Sequence, residues 1–387
     1  MSPPLRKTNN FIPVTSKEKV DNISRNFILV QVICGLFRLP ILGITSKIPL
    51  VIMFGTTVLY NGVIIYNIYF KVSFNSYTIA PIFDTIEFIS CTLLGLVSYK
   101  ILLLYYAEIN NIDKDLKFSY KSRLTKLVFI HFVQLFFIGI TFTISLSVVP
   151  ESKDKFLRKN FLIPMKLLHY LELNYYGHLF DIMIPRLTLL TDIMRKSCHF
   201  KEDHKEKFQE RNDRTLICYD IGFLMDSYNR FLKTYEYLKK AIKWQILIIT
   251  VSIFNVSLSL SYHVATLVLD GVKEEDEDAE LCLNMTLLVL EVVPFVIPCL
   301  LATQISDEVV NLKEIISSRV YENKLDKSYR CTARAFLELI QTQPLSFPLL
   351  HLFDFDFMLP FKLLNLILTY LIILLQFDRV TNLNKVI

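Results

Sequence analysis

The sequence predicts an all-α membrane protein with seven transmembrane helices. Two observations lead to this class: 52% of the residues are hydrophobic, and seven separate stretches are long and apolar enough to cross a bilayer. A helix needs about 20 mostly apolar residues to cross about 30 Å of hydrocarbon. A soluble domain of this size would need a larger polar surface. The predicted spans are roughly 49–70, 84–106, 127–149, 161–192, 244–268, 281–303 and 360–377.

The segment before the first span, residues 1–48, has no apolar core of the kind found in secretory signal peptides. Its more apolar part, residues 26–42, contains Arg38 and Pro40 and predicts an amphipathic helix that lies at the membrane interface. We therefore expect the first span itself to direct insertion into the lipid bilayer.

The distribution of Lys and Arg predicts the orientation of the chain. The segments before span one, between spans two and three, between four and five, and between six and seven carry 30 of these residues, and the alternate segments carry 8. In membrane proteins the segments on the cytoplasmic side carry an excess of Lys and Arg. The sequence therefore predicts a cytoplasmic N-terminus and an extracellular C-terminal tail, residues 378–387. The net charge of +5 is too small to indicate a nucleic acid partner.

Two spans extend as amphipathic helices on the cytoplasmic side. Apolar residues recur at alternating spacings of four and three before span five, at Ile217, Ile221, Leu224, Tyr228, Phe231, Tyr235, Leu238 and Ile242. The same pattern follows span six at Ile305, Val309, Leu312 and Ile316. We interpret these stripes as a helical cytoplasmic anchor. Residues 49–304 then hold spans one to six, and residues 305–359 form the anchor segment before the seventh span.

Motifs of catalysis are missing from the sequence. It contains no dinucleotide, Walker, nucleophile-elbow or zinc-protease motif, and its seven cysteines have no metal-ligand spacing. The most polar stretch, HYLELNYYGHLFD in span four, places His169 and Glu172 on one helix face but His178 and Asp181 on roughly the other. These four groups cannot bind one metal, and we expect neither enzymatic activity nor a cofactor.

Polar and aromatic residues in the outer halves of the spans predict a small-molecule pocket. Ionisable groups are costly in hydrocarbon and usually face a cavity or a partner. A convergence of such groups is what a ligand site requires, although interhelical hydrogen bonds would also explain them. The candidate ligand-binding residues are Glu87, Thr141, His169, Glu172, Tyr176, Tyr262, His263 and Glu291.

The seventh span carries a polar stripe along one face. Asn365, Thr369 and Gln376 lie within about 40° of one another around the helix axis, and Lys362 and Arg379 extend the stripe. Several copies of this helix around an axis could line a pore with these residues. The stripe could equally hold the helix against its own bundle. Helix geometry leaves both interpretations open.

The pattern Thr-Tyr, five apolar residues, Gln-Phe in the last span resembles the hallmark motif of the insect gustatory receptors. It comprises Thr369, Tyr370, Gln376 and Phe377. The resemblance implies a tastant-gated, non-selective cation channel in the plasma membrane of gustatory sensory neurons. It implies that the seventh spans of a tetramer line one pore. Gln376 and Phe377 would form the gate, and Thr369, Tyr370 and Ile373 would belong to the pore helix.

Two other functions compete with a gustatory channel. A G-protein-coupled seven-span chemoreceptor would have the opposite orientation, and an odorant-receptor channel would share the architecture. A transporter is disfavoured because neither internal repeats nor paired broken spans are visible. The expected partners are the lipid bilayer, a small-molecule tastant (a bitter compound or a sugar), and either identical copies in a homotetramer or other gustatory receptors in a heteromer.

Overall fold

The structure is a computed structural model, and it describes residues 79–116, 153–199, 221–270, 275–321, 327–349 and 353–386. Several sequence predictions lie outside these residues. They are the interfacial helix over 26–42, spans one and three, and the candidate pocket residue Thr141.

Nearly all of the described chain is helical. The helices, numbered in chain order, are α1 (Ile79–Leu116), α2 (Lys153–His199), α3 (Ile221–Asp270), α4 (Glu275–Tyr321), α5 (Lys327–Thr342) and α6 (Met358–Val386). Predicted spans two, four, five, six and seven each fall within one of them, which confirms the all-α class. A two-stranded antiparallel hairpin, β1 (Pro348–Leu349) and β2 (Phe353–Asp354), precedes α6.

Two helices run further than the sequence predicts. Predicted span six begins at about residue 281, and the sequence predicts that the acidic segment 271–280 before it is a loop. In the structure α4 already begins at Glu275, within this segment. Acidic residues in a first helical turn interact favourably with the helix dipole. At the other end, α6 continues to Val386 through most of the predicted tail. The tail contains neither Gly nor Pro, so nothing in it stops the helix.

Four described helices are long and apolar enough to cross a membrane. The apolar stretches are Ile86–Leu116 in α1, Ile221–Leu269 in α3, Asn284–Tyr321 in α4 and Met358–Val380 in α6. Among the described helices, α2 does not reach the same hydropathy, although it contains predicted span four. Its central part carries His169, Glu172, His178 and Asp181, and their polarity lowers the mean. This polar helix lies inside the bundle, against α1 and α4.

The predicted cytoplasmic stripes form the core of a helical bundle. Every described member of the α3 stripe, from Ile221 to Ile242, is buried. On α4, Ile305, Val309, Leu312 and Ile316 are buried as well. The two helices pack on each other, and α5 packs against both. Because these stripes continue directly from the apolar spans, one hydrophobic core extends from the spans into the predicted anchor segment.

Ion pairs tie α1 to its two neighbours near its C-terminal end. Asp113 accepts two hydrogen bonds from the buried guanidinium of Arg186 on α2. Asp115 lies 2.9 Å from Arg230 on α3, and Glu108 pairs with Lys233 on the same helix. These contacts fix the axial position of α1 relative to α2 and α3.

The chain enters α6 through an aromatic cluster that packs against three helices. Phe347 and Phe355 flank the hairpin and are buried, and the amide of Phe355 donates to the carbonyl of Phe347 at 2.8 Å. Their rings contact Phe180 of α2, and they also reach Phe295 of α4 and Tyr235 of α3. The cluster therefore holds the residues just before α6 against three helices.

Candidate functional site

Three ionisable side chains from three helices meet in the buried interior. His169 of α2 places Nδ1 2.6 Å from Oε1 of Glu87 on α1, and Nε2 3.9 Å from Oε1 of Glu291 on α4. Glu291 is fully buried, and the other two residues are each 4% exposed. We call Glu87, His169 and Glu291 the acid cluster. The sequence predicted all three as ligand-binding residues, and the structure brings them together.

A second polar contact lies about two turns further along α2. The hydroxyl of Tyr176 donates to Oε1 of Gln245 on α3 at 3.2 Å, and Nε2 of Gln245 is 3.4 Å from the carbonyl oxygen of Cys91 on α1. Tyr176 was predicted as a pocket residue, but Gln245 was not. An amide buried at the start of an apolar span was the signal that could have found it.

The remaining polar residues considered lie on α2, α3 and α4. Glu172 is buried one helical turn from His169. Tyr262 and His263 are half-buried near the C-terminal end of α3. Asn284 is 8% exposed, seven residues before Glu291 on α4. Asn284-Met285-Thr286 is a glycosylation sequon, and the burial of Asn284 argues against its modification in the folded chain.

The acid cluster can hold charge and exchange hydrogen bonds. Two carboxylates and one imidazole offer acceptors at fixed positions in an environment of low polarity, where charge-assisted hydrogen bonds are strong. Among the described residues, no group of three His, Cys, Asp or Glu side chains has a geometry that could hold a metal ion.

The residues of the last-span motif lie on the surface of the chain. Thr369 is exposed, and its hydroxyl donates to the backbone carbonyl of Asn365 at 2.9 Å. Tyr370 packs edge-on against Phe254 of α3, with 5.8 Å between ring centroids. Ile373, Gln376 and Phe377 are exposed.

The contact face of α6 lies away from its polar stripe. Leu359, Leu363 and Ile367 are buried against the rest of the bundle. At about 100° per residue, their mean direction is about 140° from that of the polar stripe. In a single chain the stripe therefore points away from the other helices.

The fold is that of a multi-span α-helical membrane protein with buried polar contacts between its helices. A family model described as 7tm chemosensory receptor matches residues 32–380. The chain belongs to this family, so it is a multi-pass membrane chemosensory receptor rather than a member of an enzyme family. This match confirms the relationship to the insect chemosensory receptors that the motif of the last span indicates.

Solved structures of an insect olfactory receptor share the fold. The receptor OR5 from Machilis hrabei aligns with a TM-score of 0.65 at 15% identity, over 92% of this chain and 98% of that one. The same receptor in complex with eugenol aligns with a TM-score of 0.63 at the same identity and coverage. No curated protein sequence is similar enough to this chain to count as a match.

Proposed function

We propose that the chain is a gustatory receptor subunit that acts as a tastant-gated, non-selective cation channel. Four subunits, either identical or mixed with other gustatory receptors, would surround one pore in the plasma membrane of gustatory sensory neurons. A bitter compound or a sugar would bind in each subunit from the extracellular side. The proposal includes no catalytic activity and no cofactor.

The polar stripe of α6 carries this proposal. Gln376 and Thr369 are exposed on a helix that is apolar enough to cross the membrane, and they point away from the helix's own bundle. An amide facing hydrocarbon would lack hydrogen-bond partners, which is costly. Copies of α6 around an axis would turn this stripe towards water. Gln376 and Phe377 would then form the gate, with Thr369, Tyr370 and Ile373 along the pore helix.

The buried polar residues support a ligand pocket in each subunit. The pocket would include the acid cluster together with Thr141, Glu172, Tyr176, Tyr262 and His263. The olfactory receptor OR5 of the same fold has been solved with eugenol, a small aromatic molecule. A tastant that binds the open state more tightly than the closed state would shift the population of subunits towards opening.

A channel of the odorant-receptor type is the second candidate. The fold likeness to an olfactory receptor favours it. The Thr-Tyr and Gln-Phe pairs of the last span favour taste, because they form the motif that marks gustatory receptors.

The test is a patch-clamp recording of cells that express only this chain, during exposure to a panel of tastants and odorants. We expect a ligand-evoked cation current, and we expect Gln376→Ala to change its permeability ratio or open probability about twofold or more. A cation current that odorants evoke and tastants do not would favour the second candidate, the channel of the odorant-receptor type. Robust surface expression with no current for any ligand would refute the channel proposal.

Leu364→Ala provides the matched control. Leu364 is also exposed on α6, but it lies about 120° around the helix axis from Gln376. Its truncation should leave permeability ratios unchanged. If both substitutions alter permeation equally, the pore assignment of Gln376 is wrong.

A further inference from the structure

The exposed face of α3 changes its character at Trp244. Before this residue the face is charged, with Lys233 and Lys240 exposed, and after it the face is apolar, with Val251 exposed. At about 100° per residue, these four residues lie within about 40° of one another around the helix axis. A spanning helix changes in this way where it passes from the aqueous region into hydrocarbon. We therefore expect Trp244, which is 52% exposed, to lie at the membrane boundary on the predicted cytoplasmic side.

A second exposed aromatic residue, Phe361 of α6, lies at about the same level. The helices α3 and α6 pass each other in the same direction, because Tyr235 contacts the aromatic cluster ahead of α6 and Phe254 contacts Tyr370 within it. Trp244 and Phe361 precede this last contact by a similar length of helix, about 15 Å. Exposed aromatic residues at one level are typical of the interfacial belt of a membrane protein.

Basic residues are concentrated on α3 just before this boundary, and most of them are already paired. Arg230 and Lys233 pair with carboxylates of α1, and Lys239 pairs with a glutamate three residues earlier. Within the part of the chain that the structure describes, Lys240 and Lys243 form neither an ion pair nor a side-chain hydrogen bond. Two uncompensated positive charges therefore lie within one helical turn of Trp244.

We propose that Lys240, Lys243 and Trp244 form a binding site for the headgroup of an anionic phospholipid in the inner leaflet. The two ammonium groups bind the negatively charged headgroup, because basic residues immediately cytoplasmic of a span attract anionic lipids. The indole packs along the glycerol and the upper part of an acyl chain, as amphipathic rings do at the interface. This site is separate from the proposed ligand pocket and from the proposed pore, so it goes beyond the proposed function.

Other occupants fit this surface less well. Phosphatidylcholine carries its own ammonium group, which offsets its phosphate and leaves the two lysines uncompensated. A soluble anion could bind the lysines, but it would leave Trp244 and Val251 without an apolar partner. A second copy of the chain would have to present carboxylates to this face, and it would cover Trp244.

The test uses Trp244 itself, because it is the single tryptophan of the chain. The purified full-length chain is reconstituted into phosphatidylcholine vesicles that contain a minor fraction of phosphatidylserine. Bromine, which quenches indole fluorescence at short range, is placed high on the acyl chains of the phosphatidylserine or of an equal amount of the phosphatidylcholine. We expect the brominated phosphatidylserine to quench Trp244 about threefold or more strongly, because the two lysines enrich it locally.

Two results with the wild-type chain would overturn the proposal. Equal quenching by the two brominated lipids would show that Trp244 has no preference for an anionic neighbour. Quenching by neither lipid would show that Trp244 is covered, as it would be by a second copy of the chain.

Substitutions then assign the preference to the two lysines. Lys240→Gln combined with Lys243→Gln should abolish the excess quenching by brominated phosphatidylserine and leave quenching by brominated phosphatidylcholine unchanged. Lys313→Gln combined with Arg334→Gln is the matched control, since it removes the same charge from exposed positions on α4 and α5. An excess that survives in the first variant, or an equal loss in both, would contradict a site at Trp244.

A soluble competitor separates a lipid from a free anion. Glycerophosphoserine has the headgroup of phosphatidylserine but no acyl chains. Added in excess, it should leave the quenching of Trp244 by brominated phosphatidylserine unchanged, because it cannot replace the apolar contacts of the lipid. Full recovery of the fluorescence would assign the two lysines to a soluble anion and overturn the lipid site.

Discussion

Arg186 is a buried cation whose guanidinium is satisfied by two neighbours. Its Nε and NH2 atoms contact the two carboxylate oxygens of Asp113, and NH1 donates to the backbone carbonyl of Ile182. We expect Arg186→Met to lower the free energy of unfolding by about 2 kcal/mol. That is less than the roughly 3–5 kcal/mol of a fully buried broken pair, because Asp113 remains partly exposed to solvent. Thermal unfolding of the purified chain measures the change.

An exposed arginine on the same helix provides the comparison for Arg186. Arg195 pairs with Asp192 three residues earlier, and both side chains are largely exposed. Arg195→Met should therefore cost less than about 0.5 kcal/mol. Equal losses for the two substitutions would show that burial of the Arg186 pair adds nothing to stability.

At the residue scale, the sequence identified polar groups better than it identified their partners. Glu87, His169 and Glu291 stand out because ionisable residues are rare in membrane spans. Their mutual distances depend on how three helices rotate and slide against one another, which the sequence of each helix does not determine. Gln245 was missed for the same reason, because its partners Tyr176 and Cys91 lie on other helices.

Among the elements, the hairpin before α6 offers a physical route from the acid cluster to the proposed pore helix. Phe295 lies one turn after Glu291 on α4, and its ring contacts Phe355 at 5.8 Å between centroids. Phe355 precedes the start of α6 by three residues. In addition, the amide of Phe357 donates to the hydroxyl of Thr303 on α4 at 2.8 Å. A movement of α4 would therefore reach α6 through packed side chains.

We expect Phe355→Leu to weaken coupling without abolishing binding. Leucine retains an apolar side chain but loses the ring contacts with the aromatic cluster. The ligand concentration for half-maximal current should rise about fivefold, whereas the dissociation constant in nanodiscs stays within about twofold. Patch-clamp and binding measurements on the same variant give both values.

The hairpin also supplies the control for Phe355. Phe353 is exposed on β2, two residues away, so Phe353→Leu should change neither value. A Phe355→Leu variant with unaltered gating would exclude the aromatic cluster from the coupling route. A parallel loss of binding would instead assign Phe355 to the pocket.

Among the elements, the long helices were predictable and the hairpin was not. The seven-residue repeat of α3 and α4 requires a continuous helix, and both helices follow it. The hairpin has strands of only two residues, so it has no alternating pattern by which to recognise it. Its position depends on Phe347 and Phe355 fitting between three other helices. That is a property of tertiary packing.

At the scale of the whole molecule, the apolar spans and the predicted anchor share one core. The helices α3 and α4 extend unbroken across both parts, and Pro294 and Pro298 lie within α4 without ending it. The ion pairs of Asp113, Asp115 and Glu108 join α1 to this core. A bundle built in this way would transmit rigid displacements over its length, as the proposed ligand-gated function requires.

The orientation of the whole chain is the last property that can be tested, and it separates the proposed channel from a G-protein-coupled receptor. The excess of positive residues in alternate segments, 30 against 8, predicts that the N-terminus is cytoplasmic and the C-terminus extracellular. An epitope tag after Ile387 should be stained by antibody on intact cells, whereas a tag before Met1 should be stained only after permeabilisation. A cytosolic protein stained in the same cells controls for leakage. Staining of the N-terminal tag alone on intact cells would place the polar end of α6, including Gln376, on the cytoplasmic side and contradict the proposed outer gate.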